Sequence, residues 1–155
     1  MGWLGQFVFM TRPQYETQDD LKNEEDAIKR LELVSGRKSF KLPKSYRIDF
    51  AMCDGEEITS WIEVKCRKNK FRQYPTLAIS ITKLMAGLAF EQKTGLPFFL
   101  VVHWPDFLGY IRIQSLSDFK ILKGGRTDRN DNADIEPMVH IPIEMFKKLE
   151  QRRDP

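Results

Sequence analysis

Cysteine and histidine are scarce, with two of each in these 155 residues. Cys53 and Cys66 have no second pair beside them, and His103 and His140 stand far from both. That excludes a disulfide framework and a zinc-ligand spacing, and it leaves reduced, half-buried thiols as the expectation. Long hydrophobic runs are missing too. The opening MGWLGQFVFM is apolar for ten residues only, too short to span a bilayer, with neither a basic leader nor a small-residue cleavage site. It is expected to cover the core of a cytoplasmic protein with no membrane partner. No internal repeat or low-complexity tract occurs. The net charge is only +3, so overall charge points to no partner. One local absence is more telling. No acidic residue falls between Val64 and Phe90, while Lys65, Arg67, Lys68, Lys70, Arg72 and Lys83 all do. Such a stretch is either a solvated basic face or a footprint for phosphates.

What is present is enough for a packed globule. Hydrophobic residues make up 41% and aromatics 12%, and the length suits one domain, residues 1–155, with a real core. Leu21, Ile28, Leu31 and Val34 recur at helical spacing over 18–35, and Gly36 stops them. A short extended piece, 38–42, ends at Pro43. Residues 46–53 alternate, with Ile48, Phe50 and Met52 on one face and Arg47, Asp49 and Ala51 on the other. Residues 58–67 alternate too, with Ile62, Val64 and Cys66 opposed to Trp61, Glu63 and Lys65. Residues 74–79 read as extended. Ser80 is placed to cap a helix running to Thr94, with Ile81, Leu84, Met85, Leu88 and Ala89 as its buried face and Gly95 at its end. The run 97–104 suits a central strand covered on both faces, and 108–113 a neighbour. Residues 123–132 read as a polar loop, 138–143 as a last strand, and 144–152 as a short charged helix. The order is that of an α/β protein with a mixed sheet.

The two strands around Gly55 carry charge that alternation alone does not explain. Directly opposed residues of an antiparallel pair share a face, and a one-residue slip swaps faces. A two-residue loop at Asp54-Gly55 would pair Cys53 with Glu56 and put Asp49 and Glu63 on opposite faces. An odd-length loop, or a bulge at Gly55, unites both the apolar sets and the charges. The apolar pattern therefore places Asp49, Glu63 and Lys65 together, on what reads as the polar face of the hairpin. Two carboxylates suit a hard divalent cation, which takes oxygen ligands and keeps waters and phosphate oxygens in its shell. Asp49 and Glu63 would hold it with the Val64 carbonyl, and Lys65 could orient water or stabilise charge on phosphorus. An exposed ion pair is the ordinary alternative.

Asp49 followed by Glu63-Val64-Lys65 in the strand WIEVKCR resembles the PD-(D/E)XK nuclease superfamily. The resemblance covers most of the chain, whose helix, strands, helix, strands order is similar to the αβββαβ restriction-endonuclease-like core. In the branch that resembles archaeal Holliday-junction resolvases, a helix glutamate is followed by apolar residues three, four and seven positions on. Glu24 fits with Ala27, Ile28 and Leu31, whereas Glu25 is followed by Ile28, Lys29 and Glu32. The first motif pair reads Ile48-Asp49, without the proline.

The resemblance implies an αβββαβ core with a mixed central sheet flanked by helices, and a metal-dependent endodeoxyribonuclease. Its catalytic set would be Glu24, Asp49, Glu63 and Lys65, with Mg²⁺ held by Asp49, Glu63 and Val64 and Mn²⁺ able to substitute. DNA is the expected partner, with structure-selective cleavage of branched or junction DNA and a homodimer as options, in repair, recombination or a phage or mobile-element setting. A non-catalytic nucleic-acid-binding or assembly module on the same fold is the alternative. Arg67, Lys68, Lys70, Arg72, Lys83 and Arg126 are the candidate DNA contacts, Lys83 because it falls in the first turn of a helix, where backbone N–H groups can also meet a phosphate. Tyr74 reads as a core-edge tyrosine and His103 as a structural histidine.

Overall fold

The computed structural model describes residues 18–125 and 135–150. The opening apolar segment, Arg126 and the end of the expected C-terminal helix lie outside the described residues. Helix α1 spans Gln18–Ser35, with Asp19 and Asp20 in its first turn complementing the helix dipole. Gly36, at φ 71°, ends it in the left-handed conformation that glycine adopts at least cost. Then come β1 (Lys38–Lys41), a 3₁₀ turn (Lys44–Tyr46), β2 (Phe50–Asp54), β3 (Glu57–Cys66) and β4 (Thr76–Ser80). Helix α2 (Ile81–Thr94) follows, then β5 (Phe98–Trp104), β6 (Phe107–Arg112), β7 (Lys120–Gly125), β8 (Ile135–Pro142), a 3₁₀ turn (Ile143–Met145) and β9 (Lys147–Lys148). Among the described residues no helix is long and apolar enough to cross a membrane.

The main sheet has the order β1-β2-β3-β5-β6-β9. It is mixed: β3 and β5 run parallel at its centre and the other neighbours are antiparallel. Parallel neighbours need a crossover connection, and α2 supplies it. Helix α1 packs on one face through Ala27 and Ile28, against Phe50, Met52, Ile62, Val64 and Val101. Helix α2 packs on the other through Leu84, with Ala51, Trp61, Leu100 and Val102. Both faces of β3 are therefore covered, and five successive residues, Ser60 to Val64, are buried. This is the expected αβββαβ arrangement with helices on both sides of a mixed sheet.

Several expectations are corrected. The hairpin has no polar face, because the face carrying Asp49 and Glu63 also carries Ala51 and Trp61, which belong to the α2-side core. Ile48 joins that same core instead of lying with Phe50 and Met52. It precedes β2, so strand alternation does not govern it. On α2, Met85 and Ala89 face solvent, and Leu84 and Gly87 are the buried positions. Strand β4 belongs to a second, three-stranded sheet, β4-β8-β7, and the Lys123–Gly125 part of the expected loop forms the end of β7. The expected helix over 144–152 is, as far as Glu150, a 3₁₀ turn and an edge strand. Phe146 joins the core on one face of the main sheet and Leu149 the core on the other, which a helix lying on one face could not achieve.

Candidate active site

The site is assembled by the β2–β3 hairpin. Its loop is the two residues Gly55 and Glu56, since Asp54 pairs with Glu57 and Cys53 with Ile58, and Gly55 takes φ 62°. The ladder then shifts, so that Met52 pairs with Ser60, Ala51 with Trp61 and Phe50 with Ile62. The extra residue is Thr59, whose hydroxyl donates to the Met52 carbonyl at 3.2 Å. A bulge thus supplies the odd residue that the pattern requires, at Thr59 and not at Gly55. One step past the Phe50–Ile62 pair, the same register sets Asp49 opposite Glu63. Asp49 Oδ2 accepts a hydrogen bond from the Val64 N–H at 2.9 Å. The N–H and C=O of one strand residue point to the same neighbour, so the Val64 carbonyl leaves β3 on the Asp49 side.

Glu63 is the electrostatic centre of this arrangement. It is 3% exposed, and its Oε1 has no hydrogen-bond partner among the described residues. Buried carboxylates are rare without partners, and an unsatisfied one requires an explanation. Burial, reinforced by the nearby Asp49 carboxylate, pushes its carboxyl up to about 8. Burial also raises Asp49, partly countered by the Val64 N–H. Lys65, half-buried, is shifted down by burial and by the positive charges of Arg67 and Lys83. Two proton-hungry carboxylates beside a desolvated amine leave a place where positive charge would be strongly stabilised.

Above this floor opens a groove of about 710 Å³. Asp49, Val64 and Lys65 line it from the hairpin, Glu24 from α1, and Lys83 from the first turn of α2, next to the Ser80 cap. Glu24 carries 15% side-chain exposure and meets Lys41 Nζ at 2.8 Å. Glu25 instead projects to solvent and pairs with Lys29. The glutamate that fits the resolvase-like pattern is thus the one that lines the groove.

The basic candidates divide. Arg67 and Lys83 line the groove. Arg67, however, donates to the Ala78 carbonyl at 2.7 Å and the Cys66 carbonyl at 3.2 Å, so its guanidinium is largely spent on tying the end of β3 to β4. Lys68, Lys70 and Arg72 are exposed on the following loop, outside the groove. Tyr74 is 55% exposed there, not at a core edge. His103 Nε2 lies 3.0 Å from Asp26 Oδ2 on α1, in keeping with a structural role, and both cysteines are free thiols. Sequence reasoning missed Lys44 and Arg47, which line the groove from the turn before Asp49. A signal existed, since residues 33–48 also contain no acidic side chain but five basic ones, Arg37, Lys38, Lys41, Lys44 and Arg47.

Among the described residues no three His, Cys, Asp or Glu side chains cluster closely enough to hold a metal. Mg²⁺ nonetheless often takes only one or two carboxylates, with water and phosphate oxygens completing its shell. The unpartnered Glu63 Oε1 beside Asp49 fits such an ion.

Comparisons with known proteins bear on the family and the fold. Residues 10–149 match the model of a family described as "Phage putative PDDEXK endonuclease". Among solved structures, the fold is similar to that of Hjc, a Holliday junction resolvase from the archaeal hyperthermophile Archaeoglobus fulgidus. That match has a TM-score of 0.58 and 16% identity, over 85% of this chain and 93% of the resolvase. No curated protein sequence gives a significant match. With nearly its whole length matched, the chain belongs to the phage PDDEXK endonuclease family.

Proposed function

We propose that this nuclease hydrolyses DNA phosphodiester bonds internally, using Mg²⁺ held by Asp49, Glu63 and the Val64 carbonyl, with Mn²⁺ able to substitute. The observation that carries this reading is the buried, unpartnered Glu63 carboxylate on the strand whose next two residues, Val64 and Lys65, line an open groove together with Asp49. A bound divalent cation would polarise the phosphate and make a water acidic enough to attack it. The chain's own residues would do the rest. Asp49 is oriented by the Val64 N–H. Lys65, two residues past Glu63 on the same face, is placed to hold the attacking water and to stabilise charge developing on phosphorus. Glu24, at the groove wall, accepts from Lys41 and can order a further water.

The likeness to a Holliday junction resolvase makes branched DNA the first substrate to try, and a homodimer would present two grooves to two strands. The test is purified protein on linear, nicked, single-stranded and four-way branched DNA, with Mg²⁺, with Mn²⁺ and with chelator. Internal cleavage that depends on the ion and favours the branched form is expected. Failure to cut any form with either ion would leave a binding module on a nuclease fold.

A further inference from the structure

Among the described residues, Arg47 is the one non-glycine residue at positive φ, 63° with ψ 9°. A left-handed backbone is unfavourable for a residue with a Cβ, and it persists where the surroundings over-determine it, often at functional sites. Those surroundings are visible here. Tyr46, just before, stacks on Phe90 of α2 with ring centroids 6.0 Å apart, and Phe90 packs on Trp61. Ile48, just after, is 3% exposed. The Tyr46 and Arg47 N–H groups donate to the Pro43 and Lys44 carbonyls, and Leu42 N–H to the Asp49 carbonyl. Anchored on both sides, the turn has little freedom.

Glycine or asparagine would fit this backbone with less strain, yet the residue is arginine. Among the described residues its guanidinium makes no hydrogen bond or ion pair. It lines the groove two residues from Asp49, with Lys44 beside it on the same turn and Lys83 entering from α2. Lys41, in contrast, is engaged by Glu24. The turn is fixed by the buried Ile48 on one side and by the partly exposed Tyr46 ring stacked on Phe90 on the other, which presents the exposed Arg47 side chain at the groove. We propose that Arg47 is a substrate-positioning residue, held in the left-handed conformation so that its planar fork grips a backbone phosphate of the nucleic acid beside the one attacked. This rests on the nuclease reading above.

The test uses Arg47→Gly and Arg47→Asn, both compatible with the left-handed region, and Arg47→Lys, which keeps the charge. Binding to a labelled duplex oligonucleotide is followed by anisotropy over a salt series, with chelator present so that cleavage does not intervene. The Gly and Asn variants should melt at or above the parent's temperature and bind severalfold more weakly. Their slope of log affinity against log salt should fall by roughly 0.9, the value for one neutralised phosphate on duplex DNA. The Lys variant should recover the slope. Gly and Asn variants that keep the parent's affinity and slope, or that fail to fold, would make Arg47 a turn residue only. If the parent cuts DNA while those variants still bind like it, only this inference falls. A parent that neither binds the duplex nor binds or cuts the branched form takes the nuclease reading down with it.

Discussion

At the scale of single residues, Glu63 ties stability to pH. Its folded-state carboxyl sits near 8 against an ordinary value of 4.5, so between those values the folded protein holds a proton that the unfolded chain releases. The unfolding free energy of metal-free protein should therefore fall as pH rises from about 4.5 to about 8, with Asp49, shifted the same way, adding to the slope. Thermal melts should show the melting temperature declining across that window, and Glu63→Gln should flatten the decline. A parent whose melting temperature holds steady through the window would mean that Glu63 ionises freely and is not desolvated. Much of this residue-level picture is legible in the sequence. The Glu63-Val64-Lys65 tripeptide stands in a strand-like run, and the family resemblance favours Glu24 over Glu25. What stays hidden is the depth of Glu63, since alternation reports which face a side chain is on and not whether a helix covers that face.

At the scale of elements, the hairpin shows both the reach and the limit of pattern reading. Parity demands one extra residue, because Phe50, Ile62 and Val64 have to share a face. It does not say where that residue goes, and local geometry selects Thr59 over Gly55. Strand β7 is hard to read because KILKGG has little apolar alternation and depends on pairing with β8. Helix α2 offers a test of its docking. Gly87 faces β5, and a Cβ there would overlap the Phe98 ring, itself fully buried. Alanine is the better helix former by about 1 kcal/mol, yet Gly87→Ala should destabilise by about 1–3 kcal/mol through overpacking. Urea melts would show this as a lower midpoint. A raised midpoint would mean that α2 can move off the sheet to make room.

At the scale of the whole molecule, charge is arranged around the groove in two groups. Arg47, Lys44 and Lys83 lie in it, while Lys68, Lys70 and Arg72 stand on a loop beside it, where Phe71 is pinned against Phe107 at 3.8 Å. If that loop touches DNA, replacing its three cations with Ala should lower the salt slope of duplex binding by roughly 0.9 for each phosphate no longer neutralised. An unchanged slope would return the loop to an ordinary solvated face. The most direct test of the whole assembly is single-turnover DNA cleavage by the parent and two variants as a function of Mg²⁺ concentration. The parent should show saturable, ion-dependent cleavage. Lys65→Ala should keep the parent's half-saturating Mg²⁺ while its maximal rate falls by on the order of 10²–10³, the scale of losing one preorganised charge-stabilising group. Asp49→Ala should show no saturation, because few protein ligands hold the ion and each carboxylate counts. A Lys65→Ala variant as fast as the parent, or a parent inactive at every concentration of Mg²⁺ and of Mn²⁺, would contradict the assignment of these residues to a metal-dependent nuclease centre.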